Sequence, residues 1–252
     1  QSSSPYYNKS TDAYCYIGTE KPNHDVVIVG WDDSYSKDNF NTDLEGDGAF
    51  ICQNSWGDNF GENGFFYISY YDTNIGTHNV VYTDIENTDN YDHIYQSDLC
   101  GWVGQLGYNK DSIYGANVFT AEGNETLKAA SFYATGKDSQ YELYVVRQFE
   151  DETSLEKMIP VASGKLGNAG YYTVDFNQGI EVDAGERYAV VLYIITPGSV
   201  HPMAIEYAAD EATENVDLDD GESYISANGS KWVSVDTVEK SNLCIKAFSD
   251  NR

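Results

Sequence analysis

The sequence predicts a mostly β chain in two parts, and three observations carry that reading. Apolar stretches are short, alternate with polar residues and are broken by Gly, Asn or Asp, the pattern of strands and turns. Tyr, which suits a pleated, half-buried surface, occurs 22 times. No long stretch carries helical periodicity. In chain order the expected strands include Asp25–Trp31, Ala49–Gln53 and Phe65–Tyr70, then Gln140–Val146, Tyr171–Phe176 and Tyr188–Ile195. After about residue 83 strands recur at hairpin-like intervals, which predicts an antiparallel β-sandwich there. The polar, acidic segment Thr83–Asp92 separates the two parts, so the expected domains are 1–82 and 83–252.

Charge narrows the partners. Against 14 basic residues stand 41 acidic ones, a formal net charge of −27. Such a chain repels phosphate backbones and anionic lipid surfaces, so no nucleic acid partner is expected. The surplus suits a solvated acidic coat, or a surface that meets cations or basic substrates. No apolar run approaches the length of a membrane span. The opening QSSSPYYNKS lacks the apolar stretch of a secretory leader, so an exported form is expected to have lost one already. The four cysteines, Cys15, Cys52, Cys100 and Cys244, show no CxxC or CxxH spacing, and no two of His24, His78, His93 and His201 have a helical metal-ligand spacing. No metal or other cofactor is expected. The loop Ser34–Gly48 carries Asp38, Asp43, Glu45 and Asp47, but not at EF-hand spacing.

Chemistry concentrates in two pieces of the first part. Asn23-His24-Asp25-Val26-Val27-Ile28-Val29-Gly30-Trp31 sets a histidine at the head of a strongly apolar strand. Phe50-Ile51-Cys52-Gln53-Asn54-Ser55-Trp56-Gly57 follows, and then Phe60-Gly61-Glu62-Asn63-Gly64-Phe65-Phe66. In this order the pieces closely resemble the papain family of cysteine proteases. There a histidine opens a strand ending in Val-Gly-Tyr/Trp, and an Asn-Ser-Trp-Gly strand end leads into a Trp-Gly-Glu-Asn-Gly-Tyr turn.

The resemblance implies the β-rich lobe, half of the α+β papain fold, and peptide or protein substrates. It assigns His24 as general base and acid and Asn54 as the residue that orients it. A cysteine thiol is only slightly ionised near neutral pH, so an adjacent imidazole must take its proton and later protonate the leaving amine. An amide oxygen on the far ring nitrogen fixes tautomer and plane, as the carboxylate does in serine triads. Trp56 is expected to shield that hydrogen bond from water. Asn23 and Asp25 flank the histidine at the substrate pocket. The family usually has a small residue at the position of Asp25, and a carboxylate there is expected to favour Lys or Arg in the substrate. Phe60 replaces the usual Trp, a mild packing change.

The family's nucleophile, in a Cys-Gly-Ser-Cys-Trp type motif, lies more than about a hundred residues before the histidine. Here only Cys15 precedes His24, in Ala-Tyr-Cys-Tyr-Ile, without the glycine or tryptophan; Cys100, in Leu-Cys-Gly-Trp, follows the pair. The expected partner is therefore the N-terminal, nucleophile-bearing chain of the same precursor, divided between lobes, unless the chain is a fragment. A β-lobe on its own is expected to expose its interlobe face as an apolar patch.

The second part resembles the lectin-like domain that follows papain-type peptidases in secreted proteins of Gram-positive bacteria. The residues that carry this include Ile94-Tyr95-Gln96, Gly101-Trp102, Ala116–Ala121, Glu125–Tyr133, Gly221–Ser226 and Cys244–Phe248. It implies a β-sandwich and a secreted or cell-surface location, but "lectin-like" describes architecture and not sugar binding. Trp102 and Trp232 would suit a pyranose ring if exposed and the core if not. The rival functional reading is a non-catalytic carbohydrate- or protein-binding module with a degenerate protease lobe.

Overall fold

In the computed structural model, residues 4–77, 79–235 and 240–252 are described. Among them the chain is mostly β, as the sequence predicts, with short 3-10 turns at Lys37–Asn39 and Glu152–Glu156. His78 lies outside the described residues. The chain divides into two compact units, Gln1–Val81 and Tyr82–Arg252.

The first unit is built on one sheet. Its strands are β1 (Tyr7–Asn8), β2 (Ala13–Tyr14), β3 (Val27–Asp32), β4 (Ala49–Gln53) and β5 (Phe65–Ser69), in spatial order β1-β2-β5-β4-β3. The β2–β5 pair is parallel and the others are antiparallel. Alternation along β4 and β5 sends side chains to both faces. Ala13, Cys15, Phe40, Leu44 and Ala49 bury together on one, with Tyr7, Cys52, Phe66 and Ile68 on the other. The long loop before β4 is packed: Phe40 and Leu44 anchor it, and Lys37 Nζ donates to Leu44 O at 3.1 Å. After β5, the buried Asp72 carboxylate accepts from Tyr16 N, Asn74 N and Ile75 N at 2.8–2.9 Å, tying the outgoing chain to the incoming one. Strand β3 forms the sheet edge, and three of its apolar side chains are largely exposed: Val27 56%, Val29 51% and Trp31 68%.

The second unit opens with β6 (His93–Tyr95), β7 (Gly104–Leu106), β8 (Ser112–Thr120), β9 (Glu125–Ala134) and β10 (Ser139–Val146). It continues with β11 (Ile159–Leu166), β12 (Gly170–Val182), β13 (Arg187–Ile195) and β14 (Met203–Glu206). It ends with β15 (Ser223–Ser226), β16 (Val233–Ser234), β17 (Asn242–Leu243) and β18 (Ile245–Asn251). A six-stranded sheet, β11-β10-β13-β8-β15-β16, faces a four-stranded one, β12-β9-β18-β6. Leu143, Val190, Leu192 and Ile194 from the first meet Leu127, Phe132, Val182 and Ile245 from the second in one core, which makes this unit a β-sandwich. The short sheet β17-β14-β7 adds Met203, Ile205 and Leu243 to that core. On the outer face of the six-stranded sheet, Phe149 and Leu155 cover Val118, Val146, Ala189 and Val191 in a smaller cluster.

Strand β12 runs past its expected end at Phe176, because the register with β9 slips between Asp175 and Ile180 and then resumes. An irregularity of this kind lets Asn177-Gln178-Gly179 bulge without ending the pairing.

Arg147 clamps Glu186 through two parallel bonds, Nε to Oε1 at 2.9 Å and an Nη to Oε2 at 2.7 Å, and the Glu186 side chain is only 8% exposed. Burial pushes the Glu186 carboxyl up, but Arg147 and the Asp183 and Gln148 amides outweigh it and hold it below the usual carboxylate range. A depressed folded-state pKa gives stability that is present above the ordinary Glu value and is lost as pH falls through the folded one. Glu186→Gln is thus expected to cost on the order of 2 kcal/mol at neutral pH in urea unfolding. The gap to the parent should narrow as pH falls below the ordinary Glu range; a gap independent of pH would contradict the assignment.

Candidate active site: a histidine–asparagine pair at the end of an edge strand

The pairing of β3 with β4 builds the site. Val27 lies opposite Gln53 and Ile28 opposite Cys52. Continuing that antiparallel register beyond the strand ends brings residue 26 opposite 54 and residue 24 opposite 56, so His24 reaches Asn54 and Trp56 without any long-range coincidence. His24 Nε2 lies 3.0 Å from Asn54 Oδ1. An amide oxygen only accepts, so Nε2 carries the hydrogen and, in the neutral ring, Nδ1 is the acceptor.

Asn54 is held from below. It is 8% exposed, and its backbone N–H donates to Gly64 O at 2.9 Å. Gly64 belongs to the turn after β4, where Gly61, Asn63 and Gly64 all have positive φ (56°, 55° and 90°). A Cβ on Gly61 would sit 2.1 Å from Phe65 O, so both conformation and space demand glycine there. The Trp56 ring lies 4.9 Å from the His24 ring, tilted by 31°, and is itself 45% exposed. Phe60 packs edge-on to Trp56 at 4.9 Å and to Phe66 at 5.4 Å, so the smaller ring at this position fills its place.

His24, Asn23 and Asp25 are exposed, whereas Asn54 is buried. The structure thus gathers His24, Asn54 and Trp56, and leaves Asn23 and Asp25 at the surface beside them.

The four thiols are free, and their environments run against nucleophilic use. A reactive thiol needs a cationic setting that lowers its pKa. Burial pushes Cys15 up to about 11 and Cys52 up to about 12. Cys244 is raised further by burial and by Asp98. Cys100 is exposed, but desolvation and the Glu206 carboxylate raise it too. Among the described residues no group of three or more His, Cys, Asp or Glu side chains is arranged to hold a metal ion, and no helix is long and apolar enough to cross a membrane.

In the second unit, the two tryptophans part company. Trp102 is 37% exposed and leans on Tyr133, which in turn contacts Tyr171. Trp232 packs against the smaller cluster of the six-stranded sheet, its Nε1 buried. Sequence reasoning missed the buried polar groups of this unit. Asp98 and Glu206 are fully buried, and Asn242 ties the Ser97 and Asp217 carbonyls at 2.7 and 2.9 Å. In a chain this acidic, nothing in the local sequence separates such carboxylates from the solvated ones.

Comparison with known proteins agrees with both units. Residues 2–85 match the model of the papain family cysteine proteases, and residues 94–249 that of the lectin-like domain. The clostridial cysteine protease Cwp84, solved after propeptide cleavage, is 29% identical with a TM-score of 0.82, over 98% of this chain and 63% of that one. A structure of the cysteine protease and lectin-like domains of Cwp84, a surface layer associated protein of Clostridium difficile, gives 26% identity and a TM-score of 0.77, over 98% and 56%. This chain therefore spans less than two thirds of the solved chains it matches. No curated protein matches. The chain belongs to the lectin-like domain family through residues 94–249, preceded over residues 2–85 by a papain-family cysteine protease segment.

Proposed function

We propose that this chain supplies the base and orienting residue of a papain-type cysteine endopeptidase, and that the nucleophile comes from the N-terminal chain of the same precursor. The observation that carries this reading is the 3.0 Å bond from His24 Nε2 to Asn54 Oδ1, which leaves Nδ1 free to face a thiol. In the assembled site Nδ1 takes the cysteine proton, and the thiolate adds to the scissile carbonyl. The imidazolium then protonates the departing amine as the C–N bond breaks, leaving a thioester. Nδ1 next takes a proton from water, whose oxygen displaces the thiolate and releases the acid. Throughout, Asn54 keeps the ring in one plane, and Trp56 keeps water off the Nε2–Oδ1 bond.

Two further features support a missing partner. All four thiols of the chain are raised in pKa, the opposite of what the chemistry needs. Strand β3 leaves Val27, Ile28, Val29 and Trp31 exposed along the sheet edge, apolar surface suited to a second lobe. A purely binding module would have no chemical use for a buried asparagine that orients an exposed histidine. The likeness to a surface-layer-associated clostridial protease supports a secreted or surface location in a Gram-positive bacterium. Asp25, exposed next to the base, is the specificity residue: it lines the pocket for the substrate's second side chain and favours Lys or Arg.

Three outcomes follow for this chain and for its assembly with the nucleophile-bearing chain. Iodoacetamide at neutral pH is expected to label Cys100 slowly and the three buried thiols not at all; a fast-reacting thiol in the isolated chain would contradict the divided site. In the assembly, His24→Ala is expected to abolish peptide hydrolysis, and Asn54→Ala to lower kcat about 100-fold with KM little changed; full activity in His24→Ala would refute the assignment. Substrates with Arg at the second position are expected to be cut about tenfold or more faster than those with Leu, and Asp25→Asn to remove that preference. Equal rates in the parent assembly would remove Asp25 from the pocket.

A further inference from the structure

The outer face of the six-stranded sheet carries a cluster of groups that the protease reading does not use. Where Phe149 and Leu155 stop covering it, one row of side chains crosses the strands. Register places Ser163 of β11 beside Glu142 of β10, Glu142 beside Tyr193 of β13, and Tyr193 beside Tyr114 of β8. Neighbours in such a row stand ~4.8 Å apart, close to the advance of one sugar ring along a chain. Over the β11 end of the row lies a shallow cavity of about 400 Å³, lined by Gln140, Glu142, Ser163, Lys165, Tyr193 and Ile195.

We infer that this cavity binds a neutral hexopyranose unit of a glycan. Tyr193 and Tyr114 stack at 4.2 Å and 21°, which holds the Tyr193 ring upright on the sheet with its other face turned towards β10. An upright, braced tyrosine offers a flat apolar wall at low entropic cost, the surface that the C–H face of a pyranose needs. Around it stand one carboxylate, one ammonium, one amide and one hydroxyl, a mixed set of donors and acceptors that matches a ring of hydroxyls. Glu142 accepts from Tyr144 Oη, which fixes its direction, and Lys165 is held by Asp138 at 3.2 Å. Neither the Gln140 amide nor the Ser163 hydroxyl has a hydrogen-bond partner among the described residues, and both side chains are exposed.

Other ligand classes fit less well. Strand β10 is paired on both sides, by β11 and β13, so no backbone edge is open to an added peptide strand. Glu142 and Lys165 cancel in charge, and the chain's net −27 repels polyanions, which disfavours sulfated or phosphorylated glycans.

The test uses the whole chain with cellohexaose, maltohexaose and chitohexaose, and with a sulfated xylan as the anionic comparison, by saturation-transfer NMR and calorimetry. At least one neutral hexamer is expected to bind with Kd below about 1 mM, and Gln140→Ala and Glu142→Ala, both at exposed positions, to weaken it about tenfold or more. Tyr193→Ala should abolish binding, with circular dichroism to confirm that it folds. Trp102→Ala, at an exposed aromatic elsewhere in this unit, should change nothing. Failure of every neutral hexamer to bind at about 10 mM would overturn the proposal. So would binding undiminished in both Gln140→Ala and Glu142→Ala, or binding of the sulfated xylan alone.

Discussion

The antiparallel pairing of β3 with β4 is the constraint on which the site depends. Because Val27 lies opposite Gln53, the chain beyond each strand end is committed to meet the other at residues 24, 54 and 56. A slip of one residue would turn the side chains of β3 to the other face of the sheet and carry His24 away from Asn54. That register is held by β4, whose own position is set on its far side by β5, with Phe66 and Ile68 packed on Cys52. The glycine turn that follows returns Gly64 O to Asn54 N, so the asparagine is fixed at its backbone as well as at its side chain. The histidine is the exposed member of the pair and the asparagine the buried one, which suits a group that must meet a partner and a group that must hold it still.

The first unit is well satisfied on both sheet faces yet leaves one edge unfinished. Val27, Ile28, Val29 and Trp31 leave exposed apolar side chains on an edge strand, which soluble proteins usually blunt with charge or cover with another element. That strand begins three residues after His24, and none of the four thiols is tuned to serve as nucleophile. Both features follow if stability and catalysis are divided between two pieces of polypeptide, one holding the base in readiness and the other bringing the thiol. The sandwich unit draws its core members from both large sheets and the short third one. Its exposed groups lie on an outer sheet face, where register can set ligand-sized spacings without disturbing the packing beneath.

Much of this was legible in the sequence, for reasons that can be stated. Strand β5 of the first unit and the long central strands of the sandwich alternate or are largely buried, and that pattern survives in the linear chain. His24, Asn54 and Trp56 were visible because they stand in the order of the papain-family motifs around a strand end, and the structure brings the three together. The course of β12 beyond Phe176 was hidden, since Asn177-Gln178-Gly179 reads as a turn and only pairing with β9 shows it to be a bulge. Trp102 and Trp232 were indistinguishable until their surroundings were known: one leans on the surface over Tyr133, and the other closes a small cluster. The row Ser163–Glu142–Tyr193–Tyr114 was hidden for a related reason. Its members are scattered along the chain, and only sheet register aligns them.

The most direct measurement of the account's central claim is the tautomer of His24 in this chain without a nucleophile partner, read from long-range ¹⁵N–¹H NMR couplings. If Asn54 pre-organises the base, the neutral ring should carry its proton on Nε2 in the parent, and that preference should weaken in Asn54→Ala. A parent ring protonated on Nδ1, or one whose tautomer is unaffected by Asn54→Ala, would contradict the account.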